Sequence, residues 1–273
     1  MGITRRTLKH FSLRRVYFRR NRALSYYRPQ LRFIRRWVWM RTENSNYYYD
    51  ITELNKEHLS QMIAHVTKGA PSTILGYFKE LEEDKALRKH IEAGLSAYGQ
   101  DFVEIQYGRR LGWYALIREL KPNLVIETGV HQGVGACVIA SALLANISEG
   151  YPGRYLGTDI DPNAGKLLSG KYRSVGEILY GDSVESLKKV DSQIDVFIND
   201  SDHDPEYEAI EYVTIAAKLS RKGVILGDNS HVTDKLSQFS LLNSREFLFF
   251  SEKPKNHWYP GAGIGISYIE PSQ

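Results

Sequence analysis

Residues 124–135 read LVIETGVHQGVG, an apolar run that ends in an acid and continues into three glycines. Such a run indicates a buried strand followed by a tight turn and the start of a helix. Glycine lets the chain turn sharply and lets a ligand approach the main-chain amides at the beginning of the helix. The spacing is G-x-x-x-G-x-G, whereas the dinucleotide-binding fingerprint requires G-x-G-x-x-G. Glycines that serve only the turn therefore remain an alternative to a ligand-binding role.

Short apolar runs and helical stretches continue to alternate after this turn. Strands are predicted at residues 124–127, 154–159, 177–180, 194–199 and 223–226, and helices at residues 134–146, 162–168, 183–190 and 205–219. This alternation predicts a Rossmann-like, doubly wound α/β sheet that is mostly parallel. Late strands at 246–251 and 265–270, joined by a loop rich in proline and glycine, predict an antiparallel C-terminal hairpin. They bring the predicted sheet to about seven strands.

Charge divides the chain unevenly. Residues 1–41 hold 13 of the 36 basic residues and none of the 32 acidic residues, and aromatic side chains are interleaved with the arginines. This basic arm suits an anionic membrane surface or, as a weaker alternative, a nucleic acid; it could equally lie on its own acidic body or on a partner in a homo-oligomer. Residues 42–108 have helical patterns, with a candidate break at Gly94, and are predicted to cap the site or form an oligomer interface. Residues 109–273 form the predicted sheet domain.

The single cysteine, Cys137, excludes an intramolecular disulfide, and no apolar run has the roughly 18 residues that a membrane-spanning helix needs. We therefore expect a cytoplasmic protein. If the basic arm binds lipid, the protein would be peripheral at the inner face of the membrane.

Carboxylates follow two of the predicted strands. Asp159 ends the second strand, where an acid can accept the hydroxyl hydrogens of a ribose. Asp182 follows the third strand, where it could accept from an adenine amino group or cap the next helix.

Together with the glycine turn and the terminal hairpin, these acids make residues 109–270 resemble the class I S-adenosylmethionine-dependent methyltransferases. The resemblance rests on Glu127-x-Gly129-x-x-x-Gly133, on Asp159 and on Gly181-Asp182. It implies that five residues hold S-adenosyl-L-methionine, namely Glu127, Gly129, Gly133, Asp159 and Asp182.

A second set of polar residues follows the fourth and fifth strands, where residues 197–204 read FINDSDHD and residues 226–231 read LGDNSH. Hard oxygen donors at neighbouring strand ends suit Mg²⁺, Mn²⁺ or Ca²⁺. The pattern is similar to that of the metal-dependent O-methyltransferases of the catechol and caffeoyl-CoA types. That likeness implies Asp200, Asp228 and Asn229 as ligands of Mg²⁺ or Mn²⁺.

Those enzymes carry a lysine at the position of His203. A histidine there is similar instead to the macrolide-sugar O-methyltransferases and the cephalosporin hydroxylase-like relatives, which favours a sugar or aliphatic hydroxyl over a catechol. His203 could then remove the hydroxyl proton near neutral pH, since an imidazole has a pKa of about 6.5. Next to it, Asp204 before Pro205 reads as a helix cap.

The sequence thus predicts a divalent-metal-assisted O-methyltransferase that acts on a hydroxyl of a sugar or glycosylated metabolite. A nucleic-acid methyltransferase that uses the basic arm is one alternative. A second is an iron-dependent oxidative relative, in which His203 and His231 bind the metal with a carboxylate. The aromatic residues His257, Trp258 and Tyr259 could contact the acceptor.

Overall fold

The computed structural model describes residues 5–40, 45–97, 105–202, 204–228 and 230–270. The α-helices in these residues are α1 (Arg5–Trp37), α2 (Glu53–Thr67), α3 (Pro71–Glu83), α4 (Lys85–Ala97), α5 (Arg110–Leu120), α6 (Val134–Ser148), α7 (Ser183–Lys188), α8 (Pro205–Ile215) and α9 (Lys235–Leu242). The strands of the main sheet are β1 (Leu124–Thr128), β2 (Arg154–Asp159), β3 (Gly176–Tyr180), β4 (Ile194–Asn199), β5 (Leu219–Gly227), β6 (Glu246–Ser251) and β7 (Gly263–Tyr268).

The main sheet has the strand order β3-β2-β1-β4-β5-β7-β6. Strands β1 to β5 are parallel, and β7 lies antiparallel between β5 and β6. The chain leaves β1 in one direction along the sheet and later returns to place β4 on its other side. The predicted Rossmann-like sheet of seven strands with an antiparallel C-terminal hairpin is therefore confirmed.

Two apolar cores cover the two faces of the sheet. All five residues of β1 are buried, and successive side chains of a strand point to opposite faces. Val125 joins the larger core, which includes the apolar residues of α2 to α6. Leu124 and Ile126 join the smaller core, with residues of α7, α8 and α9. Burial on both faces explains why β1 reads as a continuous apolar run instead of an alternating one.

Several predicted elements differ in the structure. Residues 162–168 form turns and not a helix, and Gly165 there has a left-handed φ of +67°. The break in the N-terminal helical region lies at Asp84 instead of Gly94. Gly94 lies inside α4, and the close packing of Leu167 explains the glycine, because a Cβ at this position would lie 2.2 Å from that side chain. Helix α9 was not predicted, and the basic arm is mostly the long helix α1.

No helix in the described ranges combines the length and the apolar character that crossing a bilayer requires.

A buried carboxylate joins the ends of the central strands. Glu211 of α8 is fully buried and accepts hydrogen bonds from Thr128 Oγ1 (3.3 Å) and Ser201 Oγ (2.7 Å). It also accepts from Ser183 at the start of α7 and from the side-chain amide of Asn199 at the end of β4. Burial raises the pKa of Glu211, whereas these donors lower it. The carboxylate thus fixes the carboxyl ends of β1 and β4 relative to α7 and α8.

We expect Glu211→Ala to lower the free energy of unfolding by about 3 kcal/mol, because it leaves several buried donors without an acceptor. Urea denaturation followed by circular dichroism measures this change. Glu206→Ala on the same helix is the matched control, since Glu206 is exposed and forms a surface ion pair with Lys235, and it should change stability little. Equal effects of the two substitutions would contradict the structural role of Glu211.

Candidate functional site

Two adjoining cavities lie at the carboxyl edge of the parallel strands. The first, of about 720 Å³, is formed by the glycine turn, the ends of β2 and β3 and residues 200–202. The second, of about 550 Å³, extends towards residues 46–48, Arg109 and Asp228. Gly129 and Asp200 belong to the walls of both cavities. A ligand in the first cavity therefore lies next to a ligand in the second.

The glycine turn approaches the neighbouring strand so closely that no side chain fits at Gly129. A Cβ at this position would lie 2.0 Å from the carbonyl oxygen of Asp200, and Gly129 has a left-handed φ of +81°. Gly133 has a φ of +99° and forms the N-cap of α6. Both glycines therefore serve the tight turn, which is the alternative that the sequence leaves open beside a ligand-binding role. Gly129 in addition leaves the main chain open to both cavities.

Asp159 lies at the end of β2 in the wall of the first cavity. Its carboxylate accepts hydrogen bonds from the backbone N–H groups of His131 (2.8 Å) and Asp161 (2.9 Å). These bonds hold the carboxylate in place at the position where the resemblance expects a ribose contact.

Asp182 lies across the same cavity as the N-cap of α7. It accepts hydrogen bonds from the backbone N–H of Glu185 and from the hydroxyl of Tyr207, both at 2.9 Å. The bond from Glu185 is the main cause that lowers the pKa of Asp182. Of the two roles considered for Asp182, the geometry displays the helix cap, while a contact with adenine stays a prediction.

Glu127 lies beside the second cavity and not the first. It is almost fully buried, and its Oε2 accepts a hydrogen bond of 2.5 Å from the hydroxyl of Tyr155. Burial raises the pKa of Glu127 to about 7, although the bond from Tyr155 acts in the opposite direction. The side chain therefore changes charge near neutral pH.

Two of the predicted metal ligands, Asp200 and Asp228, lie in the wall of the second cavity. Burial first, and then the neighbouring charge of Asp228, raise the pKa of Asp200 well above its usual range. The other two residues of the predicted constellation, His203 and Asn229, lie outside the described residues. Within the described part of the chain, no three histidine, cysteine or acidic side chains form a metal-binding group.

Arg109, which sequence reasoning missed, supplies positive charge at this point. Its Nη2 donates a hydrogen bond of 2.8 Å to Asp228 Oδ2, and its Nε contacts the other oxygen of that carboxylate. Glu252 Oε1 lies 4.0 Å from the same Nε. Burial opposes the charge of Arg109, but Asp228 and Glu252 outweigh it and raise the pKa of the guanidinium. An arginine just before a helix carries no sequence signal for this role.

Residues 45–51 cover the second cavity. Tyr48 donates a hydrogen bond of 3.0 Å to Gln132 Oε1, and the backbone oxygen of Tyr47 accepts one of 2.8 Å from Arg110. Farther along, Asp50–Ile51 pairs in an antiparallel ribbon with Pro254–Lys255. The segment before α2 thus contributes residues to the wall of the second cavity, while the choice between a cap and an oligomer interface for the helices of residues 42–108 stays a prediction.

The C-terminal loop and one predicted histidine also reach the second cavity. Tyr259 lines its wall, whereas His257 packs its ring against Tyr49 with the centroids 5.5 Å apart. His231 lies at the exposed rim. These residues surround the cavity with aromatic and polar groups.

Comparison with known proteins agrees with this architecture. Residues 126–230 match the model of a family described as a methyltransferase domain. Among solved structures, the fold is similar to that of a candidate O-methyltransferase from Klebsiella pneumoniae, with 14% identity, a TM-score of 0.52 and coverage of 69% of this chain and 91% of the other. It is also similar to the O-methyltransferase TomG from Streptomyces achromogenes, which was solved with S-adenosylmethionine, with 13% identity, a TM-score of 0.50 and the same coverage. No curated protein matches the sequence.

At these identities the structural likeness establishes the fold, and the family match covers the residues from β1 to the end of β5. That stretch contains the glycine turn, Asp159, Asp182, Asp200 and Asp228. The fold that the resemblance to the class I enzymes implies is therefore confirmed, and within it residues 126–230 match a methyltransferase-domain model.

Proposed function

We propose that this protein transfers a methyl group from S-adenosylmethionine to a hydroxyl oxygen of a sugar or glycosylated metabolite. The observation that carries the proposal is the pair of adjoining cavities, which share Gly129 and Asp200 as a wall beside a turn of the methyltransferase family. Holding donor and acceptor in contact is itself a large part of catalysis, because it replaces an encounter in solution by a fixed geometry.

The first cavity suits the cofactor in size and in the chemistry of its wall. A fixed carboxylate at Asp159 can accept ribose hydroxyl hydrogens, and Gly129 leaves main-chain groups accessible. The bound cofactor would supply an electrophilic methyl group on a positively charged sulfur. Asp200, between the two cavities, carries charge of the opposite sign when it is ionised.

The second cavity suits a hydroxylated acceptor. Its wall combines the aromatic rings of Tyr47, Tyr48 and Tyr259 with the charged groups of Arg110 and Asp228. Rings stack against the apolar faces of a sugar, and charged groups form strong hydrogen bonds with its hydroxyls. This lining supports a sugar better than a purely apolar acceptor.

The acceptor hydroxyl must lose its proton, and we assign this step to His203. In the sequence this residue is three positions beyond Asp200, between the end of β4 and the start of α8. An imidazole with an ordinary pKa of about 6.5 is mostly neutral at pH 7.5 and can accept that proton. Asp200 and Asp228 would orient the hydroxyl or its neighbours, since both line the second cavity.

We further propose that Asp200, Asp228 and Asn229 bind a divalent metal ion that assists the transfer. Both described ligands offer the carboxylate oxygens that Mg²⁺ and Mn²⁺ prefer. Asp228 Oδ1 contacts Arg109 but accepts no hydrogen bond from the described residues, so it has capacity for another partner. Such an ion would lower the pKa of an acceptor hydroxyl that it contacts. Arg109 already contacts the carboxylate of Asp228 and would compete with a metal ion for it. Measuring whether the protein binds and needs a metal ion therefore tests this part of the proposal.

We expect Asp159→Ala to weaken the binding of S-adenosylhomocysteine about 10- to 100-fold, because it removes charged acceptors for the ribose. Isothermal titration calorimetry measures the affinity. Asp195→Ala is the control, because Asp195 binds the backbone N–H of Asn123 at the opposite edge of the sheet. Unchanged affinity in Asp159→Ala would remove the ribose role of this residue.

A metal-binding experiment distinguishes a divalent ion from the guanidinium of Arg109 as the cation that acts at Asp228. We expect the wild-type protein to bind Mn²⁺, seen as loss of the free-ion signal in electron paramagnetic resonance, and Asp200→Asn to weaken this binding at least tenfold. Binding of S-adenosylhomocysteine to the same variant serves as the control for folding. If the wild-type protein binds no Mn²⁺ and methylates its acceptor in the presence of a chelator, the metal proposal is wrong and Arg109 is the cation of the site.

We expect the raised pKa of Glu127 to give cofactor binding a pH dependence, because the cavity beside Glu127 adjoins the one assigned to the cofactor and shares Gly129 and Asp200 with it. The side chain is mostly protonated below pH 7 and ionised above it, and a positively charged cofactor favours the ionised form. We expect S-adenosylmethionine to bind about tenfold more tightly at pH 8 than at pH 6. Glu127→Gln keeps an oxygen for Tyr155 but cannot ionise, so its affinity should change much less over this range. Parallel pH profiles for the two proteins would show that Glu127 does not sense the cofactor.

A further inference from the structure

Helix α1 is attached to the rest of the protein near one end only. Its 33 residues extend over about 50 Å at the usual helical rise. Gln30 Nε2 donates to the backbone oxygens of His257 (3.3 Å) and Trp258 (2.7 Å), and the ring of Trp37 packs against both of these side chains. Among the described residues, no other helix or strand packs along the length of α1.

The solvent-facing part of α1 carries an apolar stripe. Residues spaced alternately by three and four positions fall on one face of a helix, and this spacing continues from residue 13 to residue 38 with Arg20 as its single interruption. The stripe consists of Leu13, Tyr17, Leu24, Tyr27, Leu31, Ile34 and Val38. Leu13, Tyr17 and Tyr27 are 64%, 66% and 59% exposed. An apolar surface of this length indicates a partner that covers it.

The charge of α1 identifies the kind of partner. The helix contains 12 lysine and arginine residues and no acidic residue, and Arg28 and Arg35 border the stripe. A second copy of α1 packed along the stripe would bring only like charges together. A nucleic acid would satisfy the arginines but would leave the leucines and valine in water. An anionic lipid surface satisfies both, because its headgroups attract arginine and its acyl boundary accepts apolar side chains.

We propose that α1 is a membrane-surface helix that lies in the headgroup region of an anionic phospholipid bilayer, with its apolar stripe facing the acyl chains. The aromatic stripe residues Tyr17 and Tyr27 suit this depth, where a ring is in apolar surroundings and its hydroxyl reaches water. The contacts of Gln30 and Trp37 connect the helix to the loop that holds Tyr259 in the wall of the second cavity. The bilayer would therefore lie on the side of the protein that carries this loop. The proposal concerns a surface and does not depend on the methylation reaction.

Vesicle flotation with the full-length protein tests the proposal. We expect the protein to float with vesicles of phosphatidylcholine and phosphatidylglycerol but not with vesicles of phosphatidylcholine alone, and to dissociate as salt is raised. The double variant Leu24→Asn/Leu31→Asn removes apolar side chains from the stripe without changing charge, and should lower the partition coefficient at least tenfold. The matched control Phe18→Asn/Tyr26→Asn removes two exposed apolar residues from the opposite face and should lower it less than threefold. Thermal unfolding followed by circular dichroism checks that both variants fold.

Three outcomes would overturn the proposal. The first is equal flotation of the stripe variant and the control variant. The second is binding of single-stranded or double-stranded RNA, without flotation, that the stripe variant retains. The third is a wild-type dimer in sedimentation analysis that the stripe variant loses while neither protein binds vesicles, which would assign the stripe to a second copy.

Discussion

The ion pair between Arg109 and Asp228 sets the charge of the site. Asp228 is buried at the end of β5, where an isolated carboxylate would be strongly disfavoured. Arg109 makes its charge tolerable there and, by approaching Glu252, also ties the start of α5 to the C-terminal hairpin. Tyr49 donates a hydrogen bond to the same glutamate, so the N-terminal segment joins this group. Three distant parts of the chain therefore meet around one guanidinium, and Arg109 and Asp228 of this group line the second cavity.

The sheet and much of the site could be predicted from sequence because their signals are local. A strand buried on both faces appears as a continuous apolar run, and β1 and β4 were recognised in this way. The carboxyl ends of parallel strands must lie at one edge, so the sequence alone predicts Asp159 and Asp200 near a common cleft. The close approach of Gly129 to the main chain of Asp200 is the tertiary reason for a glycine that the sequence displays only as a turn signal.

The parts that sequence could not predict depend on contacts between distant residues. Glu211 resembles any other acid on the polar helix α8, and only the convergence of Thr128, Asn199 and Ser201 turns it into a buried acceptor. Residues 162–168 have a helix-like start at Pro162, but the left-handed Gly165 beside the glycine turn of β1 prevents a helix there. Helix α1 was not predicted, because the many arginine residues between its apolar positions obscure the helical spacing.

The balance of charge in the site constrains its chemistry. The wall of the second cavity brings Asp200 and Asp228 close to the guanidinium groups of Arg109 and Arg110, and Glu127 is buried beside them. Burial is the main cause that raises the pKa values of Asp200 and Glu127, and the nearby arginines offset it only in part. A sulfonium donor adds one positive charge next to Asp200, and a divalent ion would add two more. The acidic wall is thus better suited to a cationic cofactor than to an anionic one such as a dinucleotide, because a phosphate placed here would face the carboxylates of Asp200, Asp228 and Glu127.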